Sequence, residues 1–313
     1  MNKLNRLLLP LVLGAITLSA QVATSPVGYR TDTIAAGNVP YAPTFVNADS
    51  ASGSIGGVTV NTDNAVITFT GSALTVDAYN EGTTFPNYYV EVTSGTNEGY
   101  SFDVISNTAD SITVAGDLSS FNLSTESIVI REHLTVGDIF AGSSASLAAY
   151  ADSVKFFNND GTTTVFYWIG TGWSSDFATD ESDKPVYPGT GFIATFASSV
   201  ELVVSGSVKT TKTKVPVYAG LVNFVSSMQP SDTTAGGFNG VEAFAAYADS
   251  LKTFNSDGSL SQDKVYYSIS TSMSSDFVND ESADFVSGAN SPLVTVGQNK
   301  YMTMPAAFAA SGN

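Results

Sequence analysis

The side chains best able to do chemistry in this chain sit in two aspartate-rich segments. Asp176-Phe-Ala-Thr-Asp-Glu-Ser-Asp183 groups Asp176, Asp180, Glu181 and Asp183, and a matching segment about 100 residues later carries Asp276, Asp280, Glu281 and Asp284. Hard cations take several oxygen ligands, so calcium is the one cofactor these residues suggest, with Asp176, Asp180, Asp183, Asp276, Asp280 and Asp284 as its ligands. The spacing is not that of an EF-hand loop, and aspartates also cap turns by accepting backbone N–H groups two residues on. Capping is the simpler reading. Paired acids could also cleave a glycosidic bond. Against catalysis, both segments keep nearly the same acids while their aromatic neighbours diverge, Trp168 standing against Ser268 and Trp173 against Met273.

Aromatic side chains offer a second chemistry, because tyrosine and tryptophan combine flat apolar faces with polar tips that suit sugar rings. Trp168-Ile-Gly-Thr-Gly-Trp173 reads as a hairpin preceded by Tyr167, and these three residues are the ligand-binding candidates. Alternation in a strand puts Phe166 and Trp168 on one face and Tyr167 on the other, so at least one ring belongs to the core; the turn position makes Trp173 the better candidate for exposure, and core packing is the plainer reading of these rings. His133 is the sole histidine, so a Ser-His-Asp centre has one candidate base, beside a domain junction where a structural role is the plainer reading. No G-x-S-x-G elbow, P-loop or dinucleotide fingerprint occurs in a fitting strand-to-helix context. No catalytic residue is assigned.

Composition narrows the class further. The chain has no cysteine, which removes disulfides, thiolate metal sites and thiol nucleophiles. With 12 basic against 29 acidic residues and a net charge of −17, it lacks the basic patch that phosphate recognition needs, so no nucleic-acid partner is expected. The one basic cluster, Lys209, Lys212 and Lys214, reads as a solvated linker. Lys3, Arg6 and an apolar run over residues 7–18 read as a secretory signal, cleaved near residue 23. No later apolar stretch is long enough for a transmembrane helix, so the mature chain is expected to be secreted or held at the cell surface.

The elements that must position these residues are strands. Val58-Thr-Val, Val66-Ile-Thr-Phe, Tyr88-Tyr-Val-Glu-Val, Ile112-Thr-Val and Ile128-Val-Ile alternate apolar and polar residues between turn signals. They predict an all-β fold in which a small β-barrel or sandwich over residues 24–133 follows the signal, residues 1–23. Residues 134–313 contain an internal repeat. Ala148-Ala-Tyr-Ala-Asp-Ser-Val-Lys-Phe-Phe-Asn-Asn-Asp-Gly161 returns as Ala245-Ala-Tyr-Ala-Asp-Ser-Leu-Lys-Thr-Phe-Asn-Ser-Asp-Gly258, and Ser174-Ser-Asp-Phe177 returns as Ser274-Ser-Asp-Phe277. Copy one covers about 134–208 and copy two about 221–313, expected as two duplicated β units packed as a pseudo-symmetric pair. Each copy is expected to hold a helical turn (residues 146–151; 241–248), an Asn-Asp-Gly-type hairpin and a final strand pair, 191–196 with 200–204 in copy one. Val215-Pro-Val-Tyr218, in the connection between copies, reads as a strand.

Ser25-Pro-Val-Gly-Tyr29, Tyr89-Val-Glu-Val-Thr-Ser-Gly-Thr-Asn-Glu-Gly-Tyr100, His133-Leu-Thr-Val-Gly-Asp-Ile-Phe140 and Tyr187-Pro-Gly-Thr-Gly-Phe-Ile193 together resemble an uncharacterised family of secreted bacterial proteins. The resemblance implies export and brings no activity or site residue with it. Copy two departs from it, with Ser287-Gly-Ala-Asn-Ser-Pro292 in place of the glycine-rich turn. The residues therefore point to an exported non-enzymatic structural or surface protein, as a matrix, surface-layer or fibre component. Its expected partners are further copies of itself, through strand edges, or a cell-surface polysaccharide. An extracellular glycan-binding protein is the alternative, and a polysaccharide-acting enzyme ranks third.

Overall fold

The computed structural model describes residues 26–71, 73–229, 233–238, 244–255, 257–269, 272–286 and 293–306. The expected signal and residues 287–292 lie outside them. The regular structure is nearly all β, and no helix among the described residues is long and apolar enough to cross a membrane.

Six antiparallel strands close a barrel in the order Asp49–Val60, Asn64–Gly71, Ser111–Ala115, Ser101–Asn107, Tyr88–Val92, Ser127–Glu132, the last pairing back with the first. Alternation turns Ala65, Ile67 and Phe69 inward from one strand and Ile112 and Val114 from its neighbour. Register shifts between Asp49 and Ala51, Ile55 and Gly57, and Val104 and Ser106 bend these strands, as closure of a small barrel requires.

The barrel does not extend over residues 24–133 as expected. Strand Val27–Ile34 pairs with Val200–Ser207, and Gly37–Tyr41 pairs with Phe192–Phe196, so the first strands of the described chain belong to the first repeat. The barrel is an insertion within that repeat, which is built from residues 26–46 and 134–208. Second-repeat strands follow the same plan without interruption: Thr213–Val217 pairs with Lys300–Met304, and Asn223–Phe224 with Leu293–Thr295. The two five-stranded sheets have the same order. In the first it runs Trp173–Ser174, Thr163–Trp168, Ser153–Phe157, Phe192–Phe196, Gly37–Tyr41; in the second, Met273–Ser274, Leu260–Ser268, Ser250–Phe254, Leu293–Thr295, Asn223–Phe224.

Two further expectations are corrected. The strands at 192–196 and 200–207 do not pair with each other, because each takes a partner from the first strands of the repeat. The predicted helical turns are reduced to single hydrogen-bonded turns, the Asp152 N–H donating to Ala148 O at 3.0 Å and the Asp249 N–H to Ala245 O at 3.1 Å, and the regular helix falls earlier, over Val136–Phe140, followed by a 3-10 turn over Ala141–Ser146. A capping box starts that helix: Thr135 Oγ1 accepts the Asp138 N–H at 3.1 Å while Asp138 Oδ2 accepts the Thr135 N–H at 3.0 Å. The Asn-Asp-Gly hairpins form as read, with Gly161 at φ 85° and Gly258 at φ 80°.

The connection between repeats is not a solvated linker. Lys209 is 2% exposed, and its Nζ donates at 2.5 Å to Oε1 of Glu91 on the barrel strand Tyr88–Val92. Glu91 also accepts Arg131 Nε at 3.2 Å, so two cations face one carboxylate. Burial pushes the Glu91 carboxyl up, but Lys209 and Arg131 outweigh it and hold the group below the usual carboxylate range. Lys212 pairs with Glu98 at 3.3 Å, and the Lys214 ammonium lies 4.8 Å from the Tyr100 ring centroid. A buried ammonium needs a partner, and the barrel supplies it. The repeats also touch directly: the Gly191 N–H donates to Phe224 O at 3.0 Å, the Ser226 N–H to Gly189 O at 2.8 Å, and the Phe157 and Phe224 ring centroids lie 5.6 Å apart.

Candidate functional site

Trp173, the better candidate for exposure among these rings, is 1% exposed, as the core reading has it. Its indole lies in the first repeat's core, 4.9 Å from the Phe140 ring and 5.8 Å from that of Trp168, which packs at the edge of the same core. The hairpin explains this burial, because Trp173 pairs directly across from Trp168 and so shares its inward face. Tyr167 points the other way, as alternation requires, and joins an aromatic cluster on the surface.

That cluster occurs twice. In the first repeat Phe177 lies 4.7 Å from Tyr167 and 6.2 Å from Tyr150, with ring planes inclined by 29° and 32°. The second repeat sets Phe277 4.8 Å from Tyr267 and 6.1 Å from Tyr247, at 33° and 29°. The outer rings are open to solvent: Tyr150 is 64% exposed, Phe177 50%, Tyr247 66% and Phe277 47%. All four occupy the left-handed backbone region, with φ between 60° and 63°. For a bulky residue that conformation costs on the order of 1–2 kcal/mol.

Each strained turn is held by a carboxylate. The buried Asp152 accepts the N–H groups of Ala148 and Ala197, both at 2.7 Å, while the Tyr150 N–H donates to Trp168 O at 2.7 Å. Asp249 repeats this with Ala245 at 2.7 Å and Gly297 at 2.9 Å, and the Tyr247 N–H meets Ser268 O at 2.8 Å. Around Phe177, Asp176 Oδ1 accepts the N–H groups of Thr179 at 2.7 Å and Ala178 at 2.8 Å and the Ser174 hydroxyl at 2.9 Å. Asp276 does the same with Asn279, Val278 and Ser274. These bonds, led by the backbone donors of Thr179 and Asn279, hold both carboxyls well below the usual carboxylate range.

The other acids are placed in a similar way. Asp180 Oδ1 accepts the N–H of Ser182 at 3.0 Å and its hydroxyl at 2.6 Å, and Asp280 accepts the Ser282 N–H at 2.9 Å. Asp284 meets Lys264 Nζ and the Tyr266 hydroxyl, both at 2.9 Å, and Asp183 is exposed. Among the described residues no group of three or more His, Cys, Asp or Glu is placed to hold a metal ion. His133 is buried, with Nε2 2.9 Å from Asp103 Oδ1, while Asp103 Oδ2 accepts the Tyr187 hydroxyl at 2.9 Å. Burial and Asp103 together raise the Tyr187 phenol above its ordinary value.

Tyr150, Phe177, Tyr247 and Phe277 carry a signal already present in the chain. Each is an aromatic residue repeated unchanged inside a block of small or polar residues, Ala-Ala-Tyr-Ala-Asp or Ser-Ser-Asp-Phe. Only folding brings the two blocks of each repeat together. Comparison with protein-family models, curated proteins and solved structures finds no match.

Proposed function

We propose that the protein is an exported, non-enzymatic surface or matrix component that holds extracellular glycan through two aromatic platforms, one on each repeat. The observation that carries this reading is the recurrence, with the same ring spacing and the same strained backbone, of the clusters Tyr150–Phe177–Tyr167 and Tyr247–Phe277–Tyr267. Strain that both repeats keep at exposed rings, with no core to fill, fits recognition better than packing. Stacked faces with hydroxyl tips suit the apolar faces of pyranose rings, and the leader-like first residues support export. Two sites on one chain also raise avidity for a repeating polymer about 10²–10⁴-fold over one site. The carboxylates beside the rings hold their own turns, which favours binding over hydrolysis.

Glycine substitution tests this directly. Glycine adopts positive φ freely, so Tyr150→Gly with Phe177→Gly should leave stability unchanged or raise it by about 1 kcal/mol, while retention on insoluble polysaccharides falls at least roughly tenfold. The same pair at Tyr247 and Phe277 should remove what remains. Retention that survives all four changes, or a clear loss of stability, would show that the rings serve the fold and not a ligand.

A further inference from the structure

Where the barrel and both repeats meet they leave a cleft of about 480 Å³. That volume lies within the range of small-ligand sites, which favour domain junctions. Lys184 lines it, half-buried, its ammonium 5.1 Å from the Phe85 ring centroid and 5.5 Å from that of Phe156. Among the described residues its Nζ has neither an ion-pair partner nor a hydrogen-bond acceptor. Burial pulls this ammonium below its ordinary value, against the pull of Asp103 and Glu181. Neither acid is paired with it: the oxygens of Asp103 meet His133 and Tyr187, and Glu181 Oε2 accepts the N–H and hydroxyl of Ser175, both at 2.6 Å.

The second repeat neutralises the charge at this position internally. Asp284 stands at the position equivalent to Lys184, and it is paired within its own repeat by Lys264 at 2.9 Å. The first repeat has Thr164 where the second has Lys264, and its Lys184 is left facing the cleft. Phe85 and Phe156 flank the Lys184 ammonium, and Lys214, its ammonium over the Tyr100 ring, also lines the cleft. Tyr100 of the barrel and Tyr301 of the second repeat meet edge to face at 4.9 Å across the same cleft, and Ser101 and Asn159 add polar groups.

We propose that this cleft binds a carboxylate-bearing sugar of the uronate type, its carboxylate on Lys184 Nζ and its ring against the aromatic wall. A neutral sugar would leave the ammonium unpaired. A small free anion would meet the field of a chain with net charge −17 and gain nothing from the rings, so charge and ring face must act together. The inference does not depend on the exposed platforms.

Isothermal titration calorimetry on the purified chain tests it with trigalacturonate, a neutral trisaccharide of the same hexose, and acetate. The acidic trisaccharide should bind about 10- to 100-fold more tightly than the neutral one, with no heat from acetate. Lys184→Met should bring the ratio to near one, and Lys184→Arg should keep it. The Tyr150→Gly, Phe177→Gly chain should bind as the parent does, which separates this site from the platforms. Equal affinity for the acidic and neutral sugars, no heat from either, acetate binding as well as the uronate, or a preference that survives Lys184→Met would each overturn the proposal. Should Lys184→Met fail to fold, the parent ratio and Lys184→Arg decide.

Discussion

At three equivalent core positions the first repeat has a ring or a branched chain where the second has a thioether. Trp173 stands where the second repeat has Met273, Leu202 where it has Met302, and Val204 where it has Met304, and all are buried. At the surface the relation reverses: Tyr150 and Tyr247, Phe177 and Phe277, Asp176 and Asp276 are the same residues in the same geometry. Cores accept any set of side chains of suitable volume, and methionine adapts to irregular space, so the interior drifted between copies. A surface that only had to be soluble would have drifted more. The barrel adds a reason for the rings in the first repeat, since Phe85 packs against that core, 6.4 Å from Phe166.

Truncating the two equivalent core residues would break the comparison most forcefully. Trp173→Ala should cost about 3–5 kcal/mol and Met273→Ala about 2–5 kcal/mol in urea denaturation, with the tryptophan the larger because its neighbours are rigid rings. A Met273→Ala cost equal to or above that of Trp173→Ala would mean that the second core is no more adaptable than the first.

A smaller effect separates the two buried aspartates. Asp249 is paired with Lys300, whereas Asp152 has Val200 at the equivalent position and relies on backbone donors. Lys300→Val copies the first repeat into the second and should cost about 1–3 kcal/mol, less than the 3–5 kcal/mol typical when a buried pair loses one partner. A loss near the upper figure would show that backbone N–H groups alone do not suffice for Asp249.

The smallest effect lies in the exposed loops, and there the two repeats should respond alike. Asp176 and Asp276 have native carboxyls held below their unfolded value of about 4, so their contribution is present above that pH and is lost as pH falls through the native values. Thermal melts from pH 5 to pH 2 should therefore show a decline that Asp176→Asn and Asp276→Asn each reduce equally. Millimolar calcium should leave the melting temperature at neutral pH unchanged, because the same oxygens already cap backbone N–H groups; a clear rise would reinstate the loops as cation sites.

Much of this was legible from the residues because it is local. Alternation marked the barrel strands, Asn-Asp-Gly marked the hairpins, and recurrence of two blocks marked the duplication. The split first repeat was not legible, because a strand's pattern names its two faces and not its partner. Val27–Ile34 finds Val200–Ser207 across the whole inserted barrel. Lys209 was misread for a related reason: a lysine beside threonines looks solvated until Glu91 is brought to it from another element.

What the sequence determined by itself is strand identity, turn chemistry and the capping role of the acids, all set by neighbours within a few residues. Tertiary structure decided which face of the tryptophan hairpin is buried, which repeat received the barrel, and which rings meet on the surface. The reason is geometric. A period of two divides a strand into two faces, but only the packing of distant elements settles which one water sees.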